Sequence, residues 1–485
     1  MKLAHLVPAG VVLLALGAIV GAAQLAAPAA PGPVHASVAP RQMAVTSAAR
    51  ACPPVPGGGP GRVAFIAATP SGGAGQAQLA PLPLAGAAQR ALSPISPALP
   101  GALSMLTTPA AQSASKQATT VLQGWSVTAT GIMAQAMEAE EATSAGLASV
   151  RCGEPGSDMW FVGAGRQGGV AQIQLDLMNV DALPASVDVD VITDTGLVQA
   201  GGDTGITVAP HQTVTESLSS MTAGSSVVAI EVRTSIGRVA ADVSESSSHG
   251  GTASWLPSTA PPSTQLVIPG VPPSGGTAGL YIVVPGSANA RVSVLALSAQ
   301  GRYRPFGSQT VDLPGDSASY VPLTPLGGTA ALELTANVPV TAAVLVPGSG
   351  LGAFTAATAP ISEQAVVAGN ATGSGLSATI VLSAPAGPAR VRLTELTATP
   401  GATSSQVVTV PAGHTLSVPA APPRSARPGS AFAVVITPLT GSGPLYAARV
   451  ETQGQNTVVS IIPAVSALTT ITLPPVRDSY DAVSP

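Results

Sequence analysis

Charged and aromatic side chains are scarce in this chain, and lysine is almost absent. Asp, Glu, Lys and Arg make up 9% of the 485 residues, and Phe, Trp and Tyr make up 3%, whereas an average soluble domain is roughly 25% charged. Lys2 and Lys116 are the only lysines, no basic run occurs, and the net charge is −4. The cationic surface that a nucleic-acid binder needs is therefore missing, and we expect no nucleic-acid partner.

Cysteine is also scarce, with Cys52 and Cys152 as the only two. Their spacing excludes a CxxC redox motif, and the five scattered histidines supply no further ligands for a zinc site. An even count in an exported protein indicates one disulfide, which would close a loop of about 100 residues and stabilise the fold by about 4 to 5 kcal/mol. Two independent buried thiols are the alternative. We expect no metal and no cofactor.

The N-terminus has the layout of an export signal. Lys2 precedes an uncharged stretch from Leu6 to Ala23, followed by small residues and a Pro/Ala-rich linker. The stretch also reaches about 18 residues, which is the lower limit of the length of a membrane span. A cleaved signal and an uncleaved membrane anchor therefore both stay open, with a buried core helix as a third interpretation. Either of the first two predicts an extracytoplasmic protein, secreted or held at the cytoplasmic membrane.

The remaining composition is rich in small apolar residues, with 46% hydrophobic residues, 53 glycines and 47 prolines. Such a chain is either disordered or built from many short strands. Alternation of apolar and polar residues predicts strands from about residue 160 onward, for example at 171–177 and 185–191. Disorder suits 29–50, and we expect loop-like structure over parts of 68–118.

The strand pattern recurs with a period near 100 residues. Three sets of landmarks carry the period: Val187, Val292 and Val391; Pro210, Pro314 and Pro411; Ala229, Ala331 and Ala433. A repeat of this length with short strands is the size of an immunoglobulin-like sandwich, although the Cys…Trp…Cys pattern of antibody domains is missing. The sequence thus predicts an all-β fold of tandem immunoglobulin-like β-sandwich repeats after an N-terminal signal or anchor helix.

The predicted domain organisation follows from this period. Its segments are a signal peptide or anchor at 1–28, a linker at 29–50, a β-rich N-terminal segment at 51–159, sandwiches at 160–256, 264–356 and 362–470, and a tail at 471–485. The Pro/Gly-rich joints at 257–263 and 357–361 predict sparse linkers, so each sandwich is expected to fold alone or nearly so.

Within the N-terminal segment, Gly61 to Ala67 and Trp125 to Ala129 alternate like strands. Residues 132–142 contain strong helix formers and also alternate, so helix and strand both stay open there. We expect the disulfide between Cys52 and Cys152 to attach this segment to the first sandwich.

The sequence contains few motifs that indicate catalysis or ligand binding. No GxSxG, Walker or HExxH motif occurs. Residues 163–168 fit GxGxxG by letter but precede a strand, so a glycine turn explains them better than a dinucleotide site. Asp176, Asp181, Asp188, Asp190 and Asp194 form an acidic cluster, which is either a Ca²⁺ site or a solvated strand face.

The conspicuous aromatic and cationic residues form a candidate contact patch, with a hairpin tip or local core as the alternative. Its members are Trp255, Arg302, Tyr303 and Phe306.

Three elements carry a resemblance to a known family: Ala51 to Pro54, Cys152 to Gly163, and Ser254 to Gly270. In this order they resemble an uncharacterised family of exported, membrane-anchored β-rich proteins from high-GC Gram-positive actinobacteria, defined by a domain of unknown function. The resemblance implies export, β architecture and a role in the cell envelope, and it adds no catalytic residue.

Three functions follow as hypotheses. The first is a non-catalytic envelope protein that acts as a structural spacer or an adaptor for other envelope proteins. The second is a module that binds wall glycan, which the few aromatic residues disfavour. The third is a hydrolase, for which histidines and carboxylates are too sparse to assign a catalytic set.

Overall fold

The computed structural model is essentially all-β. It describes residues 41–44, 47–53, 61–67, 75–82, 93–95, 104–108, 119–126, 137–143, 146–198, 205–247, 253–273, 276–305, 310–323, 326–348, 351–370, 375–397, 403–426, 432–454, 457–467 and 470–473. Within these ranges no helix could cross a membrane. The predicted signal or anchor at 6–23 lies outside them. The chain begins with β1(Arg41–Ala44).

The N-terminal segment forms a sandwich of its own. Its strands are β2(Ser47–Cys52), β3(Gly61–Ala67), β4(Gly75–Leu82), β5(Ser93–Ile95), β6(Ser104–Thr108), β7(Thr119–Ser126), β8(Met137–Thr143) and β9(Gly146–Arg151). One sheet has the order β5-β4-β7-β2 and the other β6-β3-β8-β9. The expectation of loop-like structure over parts of 68–118 was wrong where β4, β5 and β6 lie. The open choice at 132–142 is resolved as strand for Met137 to Thr143.

The first sandwich follows directly. Its strands are β10(Asp158–Ala164), β11(Val170–Met178), β12(Ala185–Thr193), β13(Gly196–Val198), β14(Ile206–Val208), β15(Thr213–Ser217), β16(Val227–Ile236), β17(Ala240–Ser247), β18(Ala253–Leu256) and β19(Ser258–Thr259). A 3₁₀ turn at Arg166–Gly168 separates β10 from β11, so the GxGxxG letters form a turn before a strand. The sheets are β13-β12-β16-β10-β19, with β14 also on β12, and β15-β11-β17-β18.

The second sandwich has one strand that serves both of its layers. Its strands are β20(Ser263–Val271), β21(Gly279–Val284), β22(Ala290–Ser298), β23(Gly301–Tyr303), β24(Thr310–Leu313), β25(Ser317–Pro322), β26(Ala330–Val346) and β27(Ala353–Ala356). The first half of the 17-residue β26 pairs with β20 and β22, and its second half pairs with β21 and β27.

The third sandwich completes the series. Its strands are β28(Gln364–Asn370), β29(Leu376–Ala384), β30(Ala389–Thr397), β31(Thr403–Val410), β32(His414–Ala420), β33(Phe432–Pro438), β34(Tyr446–Gln453), β35(Thr457–Ala464) and β36(Ser466–Ala467). The sheets are β31-β30-β33-β28-β36 and β32-β29-β34-β35.

The last strand, β37(Thr470–Leu473), forms a two-stranded sheet with β1. Residues 41–43 of β1 and 471–473 of β37 fall in the first of two units of the chain. The four sandwiches all lie in the second unit, Ala44–Thr470.

All four sandwiches share one strand order. Each sandwich is counted from its first strand, the edge strands that follow the third are set aside, and the two halves of β26 count as the fifth and sixth strands. One sheet then runs edge–third–fifth–first and the other fourth–second–sixth–seventh. Strands one to six therefore alternate between the two sheets. The predicted sandwich architecture is confirmed. The strand order, which the sequence left open, differs from the ABED and CFG sheets of immunoglobulin domains.

After the seventh strand of each sandwich, the chain returns to pair with the first strand. The four returns pair Gly153 with Ala51, Thr259 with Trp160, Thr358 with Val267, and Ser466 with Ala365. Because the same short bridge recurs in all four sandwiches, it is part of the repeat rather than a local accident.

The contacts between sandwiches close on themselves. The first strands β10, β20, β28 and β2 pack against strands of the sandwich that follows: β21, β29, β3 and β17, respectively. The seventh strands touch in the order β9, β18, β27, β35 and back to β9. The four sandwiches therefore form a ring in which the last contact, between the third and N-terminal sandwiches, joins the two ends of the series.

Hydrophobic cores run across the contacts between sandwiches. The core of the first sandwich, with Trp160 and Phe161, includes Tyr281 and Phe354 of the second. The core of the second sandwich includes Ile461 of the third. Large apolar interfaces of this kind hold neighbouring domains in one arrangement. The joints at 257–263 and 357–361 are thus not the sparse linkers expected from their Pro and Gly content.

Candidate functional site

The two cysteines directly adjoin one antiparallel pair of residues, Ala51 and Gly153. The Ala51 amide donates to the Gly153 carbonyl at 3.0 Å, and the two residues pair in antiparallel register. Cys52 and Cys152 occupy the neighbouring opposed positions, and Cys152 is buried. An antiparallel pair next to such a hydrogen bond has its Cα atoms about 4.5 Å apart, within the range that a disulfide bridges.

A pair of buried carboxyl groups lies beside this bridge. Asp176 on β11 and Asp242 on β17 are directly opposite each other in the sheet, and each is at most 3% exposed. The Thr215 hydroxyl donates to Asp176 Oδ1 at 2.6 Å. The backbone amide of Gly153 hydrogen-bonds to the Asp242 carboxyl. A side chain at Gly153 would meet Ala240 Cβ at 3.2 Å, so glycine permits this close approach.

Burial changes the protonation of both carboxyls. It raises the pKa of Asp176 to about 6, against the opposing hydrogen bond from Thr215. Burial, and then the charge of Asp176, raise the pKa of Asp242 well above its usual range. Burial also raises the pKa of Glu245, further along β17. Burial therefore favours the neutral form of Asp242 and of Glu245 and disfavours a charged pair of carboxylates inside the sheet.

A second buried polar group lies where the ring closes. Arg449 on β34 is fully buried, and its guanidinium donates to Ser149 Oγ on β9 at 2.9 Å and to Ser460 Oγ on β35 at 3.2 Å. Glu451 is also fully buried, with an oxygen 3.5 Å from Arg449. Arg449 therefore connects the third sandwich to the N-terminal sandwich through a charged group shielded from water.

The three described residues of the candidate contact patch belong to two sandwiches: Trp255 lies on β18 of the first, and Arg302 and Tyr303 lie on β23 of the second. Trp255 is 5% exposed and packs against Val150. Arg302 donates to the Pro385 carbonyl at 2.5 Å and forms an ion pair with Glu333 at 3.2 Å, so it spans the second and third sandwiches. Tyr303 packs against the core of the second sandwich, and Phe306 lies outside the described residues.

The acidic residues of the first sandwich are also separated. Asp181 pairs with Arg238 at 2.7 Å, and Asp190 pairs with Arg233. Asp188 and Asp194 accept backbone amides, from Gly205 at 2.8 Å and from Ser226 at 3.0 Å. In the part of the chain that the structure describes, no group of three or more possible ligands could hold a metal ion.

A polar cleft opens at one end of the second sandwich. It has a volume of about 590 Å³ and is lined by Asn289, Ala290, Arg291, Asp312, Leu313, Pro314 and Asn337. Arg291 Nε lies 2.7 Å from Asp312 Oδ1, and both side chains are about two-thirds exposed. Asn337 Oδ1 accepts the Arg291 amide at 2.5 Å, and Asn289 Oδ1 accepts the Gly315 amide at 3.1 Å. Strands β22, β24 and β26 and the turn before β22 thereby place amide, guanidinium and carboxylate groups around one concave surface.

Residues 107–421 match a family of unknown function, DUF5719. The chain belongs to this family. No curated protein and no solved structure matches it. The DUF5719 match runs from within β6 into the segment after β32, so it contains the first and second sandwiches entirely. The polar cleft and both carboxyls of the buried pair lie inside it.

Most residues of the cleft and of the buried polar groups were not predicted from the sequence. Asn289, in the turn before β22, and Asn337, within β26, belong to no motif, so only the fold shows that they line one cleft. Arg449 had a usable signal, since it stands alone as a cation in the apolar stretch from Tyr446 to Val450. Asp242 had the same signal between Ala241 and Val243. A lone charge in a strand that is otherwise apolar indicates a buried, hydrogen-bonded group.

Proposed function

We propose that this DUF5719 protein is a non-catalytic extracytoplasmic protein of the cell envelope, acting as a structural spacer or as an adaptor for other envelope proteins. The observation that carries the proposal is the closed ring of four sandwiches with shared cores. A body of this kind has little freedom for hinge motion, because moving one sandwich would expose apolar surface at two interfaces. Rigidity of this sort suits a protein that holds partners at fixed positions.

The cysteine positions support the extracytoplasmic part of the proposal. We propose that Cys52 and Cys152 form a disulfide. Their backbone positions are opposed, and they directly adjoin the hydrogen-bonded pair Ala51 and Gly153. Disulfides persist in oxidising compartments outside the cytoplasm. The uncharged stretch at 6–23, as signal or anchor, is the proposed route of export and the contact with the cytoplasmic membrane.

Two measurements test location. A phosphatase that is active only outside the cytoplasm, fused after Pro485, should be active in cells. Mass mapping without reduction should find the peptides of Cys52 and Cys152 linked. An inactive fusion together with two cysteines that alkylate without reduction would refute the extracytoplasmic proposal. N-terminal sequencing of the isolated protein then distinguishes a cleaved signal from an anchor.

Cross-linking in intact cells, followed by capture of the chain, tests the adaptor role. We expect specific envelope proteins to be recovered. A matched comparison is the chain with Arg449→Met, which disturbs the ring without changing the outer surface. Partners that depend on the arrangement of the sandwiches should be lost with this variant, whereas recovery of wall glycan alone would contradict the adaptor role.

The polar cleft favours a second candidate function, binding of wall glycan. Amide, guanidinium and carboxylate groups are the side chains that hydrogen-bond sugar hydroxyls, and Asn289, Arg291, Asp312 and Asn337 place all three kinds around one cleft. Titration with soluble wall fragments, followed by NMR or calorimetry, tests this function. Binding should be lost with Asp312→Ala and retained with Asp158→Ala, an exposed carboxyl of the first sandwich.

A further inference from the structure

The third sandwich has a long, exposed edge strand. Among the described strands, β31 is the last of its sheet and pairs only with β30. It runs for eight residues, of which six are exposed and only Val410 is buried. No backbone hydrogen bond from the other described residues reaches its outer edge. Alternate N–H and C=O groups along that edge are therefore open to a further strand.

The equivalent edges of the other sandwiches are different. At this position β5, β13, β14, β23 and β24 are three or four residues long as described. β13 contacts β25 of the second sandwich, and β23 contacts β32 of the third. Short or covered edges are the ordinary protection against unwanted strand pairing. The main contacts of β31 stay within its own sandwich, with β29, β30 and β32.

The side chains of β31 also lack the usual protection. Its sequence, TSSQVVTV, contains no charge and no proline. Ser404 and Gln406 donate to the buried carboxylate of Glu395 at 3.0 and 3.2 Å, which fixes the strand firmly on β30. Val407 is 52% exposed. As far as the structure describes its surroundings, the edge is thus held firmly on β30 and carries neither a charge nor a proline that would discourage pairing.

We propose that β31 pairs antiparallel with β31 of a second copy of this chain, joining the two sheets into one. Two identical strands meet most easily when they carry no charge, because like charges opposite each other destabilise a pair. The nearest exposed charges, Arg390 and Arg392, lie on β30. In the paired sheet they would be three strand spacings from their copies, about 14 Å, which is beyond the screening length of roughly 10 Å.

The expected interface is weak. A single strand pair buries less than the roughly 1,200 Å² of a stable complex. We therefore expect dimers only at high protein concentration in solution. Attachment of the N-terminal segment to a membrane would raise the local concentration and favour the same pairing. This inference goes beyond the proposed function, since it holds for a spacer, an adaptor or a glycan binder.

Sedimentation of the full-length chain over a range of concentrations tests the proposal. The wild type should pass from monomer to dimer. The double variant Ser405→Lys with Val407→Lys should weaken dimerisation roughly tenfold or more, because it places lysines on the pairing edge. The matched control is Leu183→Lys with Leu197→Lys, which adds the same two charges at exposed positions of the first sandwich and should leave dimerisation unchanged.

A measurement on the wild type alone covers the case in which the double variant misfolds. Hydrogen exchange of amides in Thr403 to Thr409 should slow as the protein concentration rises. A wild type that stays monomeric at every concentration overturns the proposal. A folded double variant that dimerises like the wild type, or a monomeric chain that takes up an extended peptide of another protein at β31, also overturns it.

Discussion

The guanidinium of Arg449 donates to the hydroxyl of Ser149, 300 residues earlier in the sequence, at the point where the third sandwich meets the N-terminal one. Both residues are buried, and Glu451 beside them is fully shielded from water. A charged hydrogen bond in such a place stabilises one geometry and penalises others strongly, because a displaced buried charge would lose its partners.

Arg449→Met should therefore destabilise the ring by about 3 to 5 kcal/mol, because it leaves the Glu451 carboxylate buried beside an apolar side chain. Thermal unfolding of the full chain measures the effect. The double variant Arg449→Met with Glu451→Met removes both charges and should recover most of the lost stability. Equal losses in the single and double variants would contradict this account.

The pH dependence of stability should reflect the Asp176–Asp242 pair. The pKa of each is raised in the folded state, that of Asp176 to about 6. The native protein therefore binds more protons than the unfolded chain once the pH rises above about 4, the unfolded value of an aspartate. This contribution to stability is present at low pH and is lost as the pH rises through the folded pKa values. Melting temperatures of wild type and Asp242→Asn, compared across this range, should show a smaller pH-dependent loss in the variant. Asp158→Asn, at an exposed position, should behave like the wild type.

The proposed disulfide makes a stability prediction of its own. Cys52→Ala with Cys152→Ala should lower the free energy of unfolding by about 2 to 5 kcal/mol. Without the disulfide, a loop of about 100 residues is no longer closed in the unfolded chain, which gains conformational entropy. Treatment of the wild type with a reductant should lower its melting temperature by a similar amount and leave the double variant unchanged. A reductant effect on the double variant would show that the loss has another cause.

The shared cores predict how the chain behaves when it is cut. An isolated fragment of residues 264–356 would expose Tyr281 and Phe354, which are at most 5% exposed in the ring. We expect this fragment to aggregate or to unfold without cooperativity, in contrast to the full chain. Limited proteolysis of the full chain should leave the joints at 257–263 and 357–361 intact. Early cleavage at both joints would indicate independent sandwiches instead.

The period of the valine, proline and alanine landmarks was sufficient to predict three sandwiches. The valines and the alanines occupy the same strand in each copy, and the prolines follow the same edge strand. The fourth sandwich was missed since its Gly-, Pro-, Ala- and Ser-rich sequence carries few β-branched residues. The ring does have one sign in the sequence, which is a continuous apolar run rather than an alternating pattern. Strand β21 is buried along its whole length, from Gly279 to Val284, and a continuous apolar run of this kind is typical of a sheet covered on both faces.

The candidate site was less predictable for a different reason. Trp255 and Tyr303 drew attention because aromatic residues are rare here, yet a rare large side chain is also what a core built from Ala and Val uses to fill space. The polar cleft depends on Asn289, which directly precedes β22, and on Asn337 within the neighbouring strand β26. Their convergence is a property of the strand order, which alternates between sheets and could not be deduced from the period.

The pairing of β1 with β37 also determines how the protein would respond to force. Residues 41–44 and 470–473 lie side by side, so a pull applied between the two ends of the chain acts first on this two-stranded sheet. The sandwiches are not loaded one after another, as they would be in a string of beads. Force would be borne first by the hydrogen bonds between β1 and β37, and the strands between them would be loaded only after this sheet had separated.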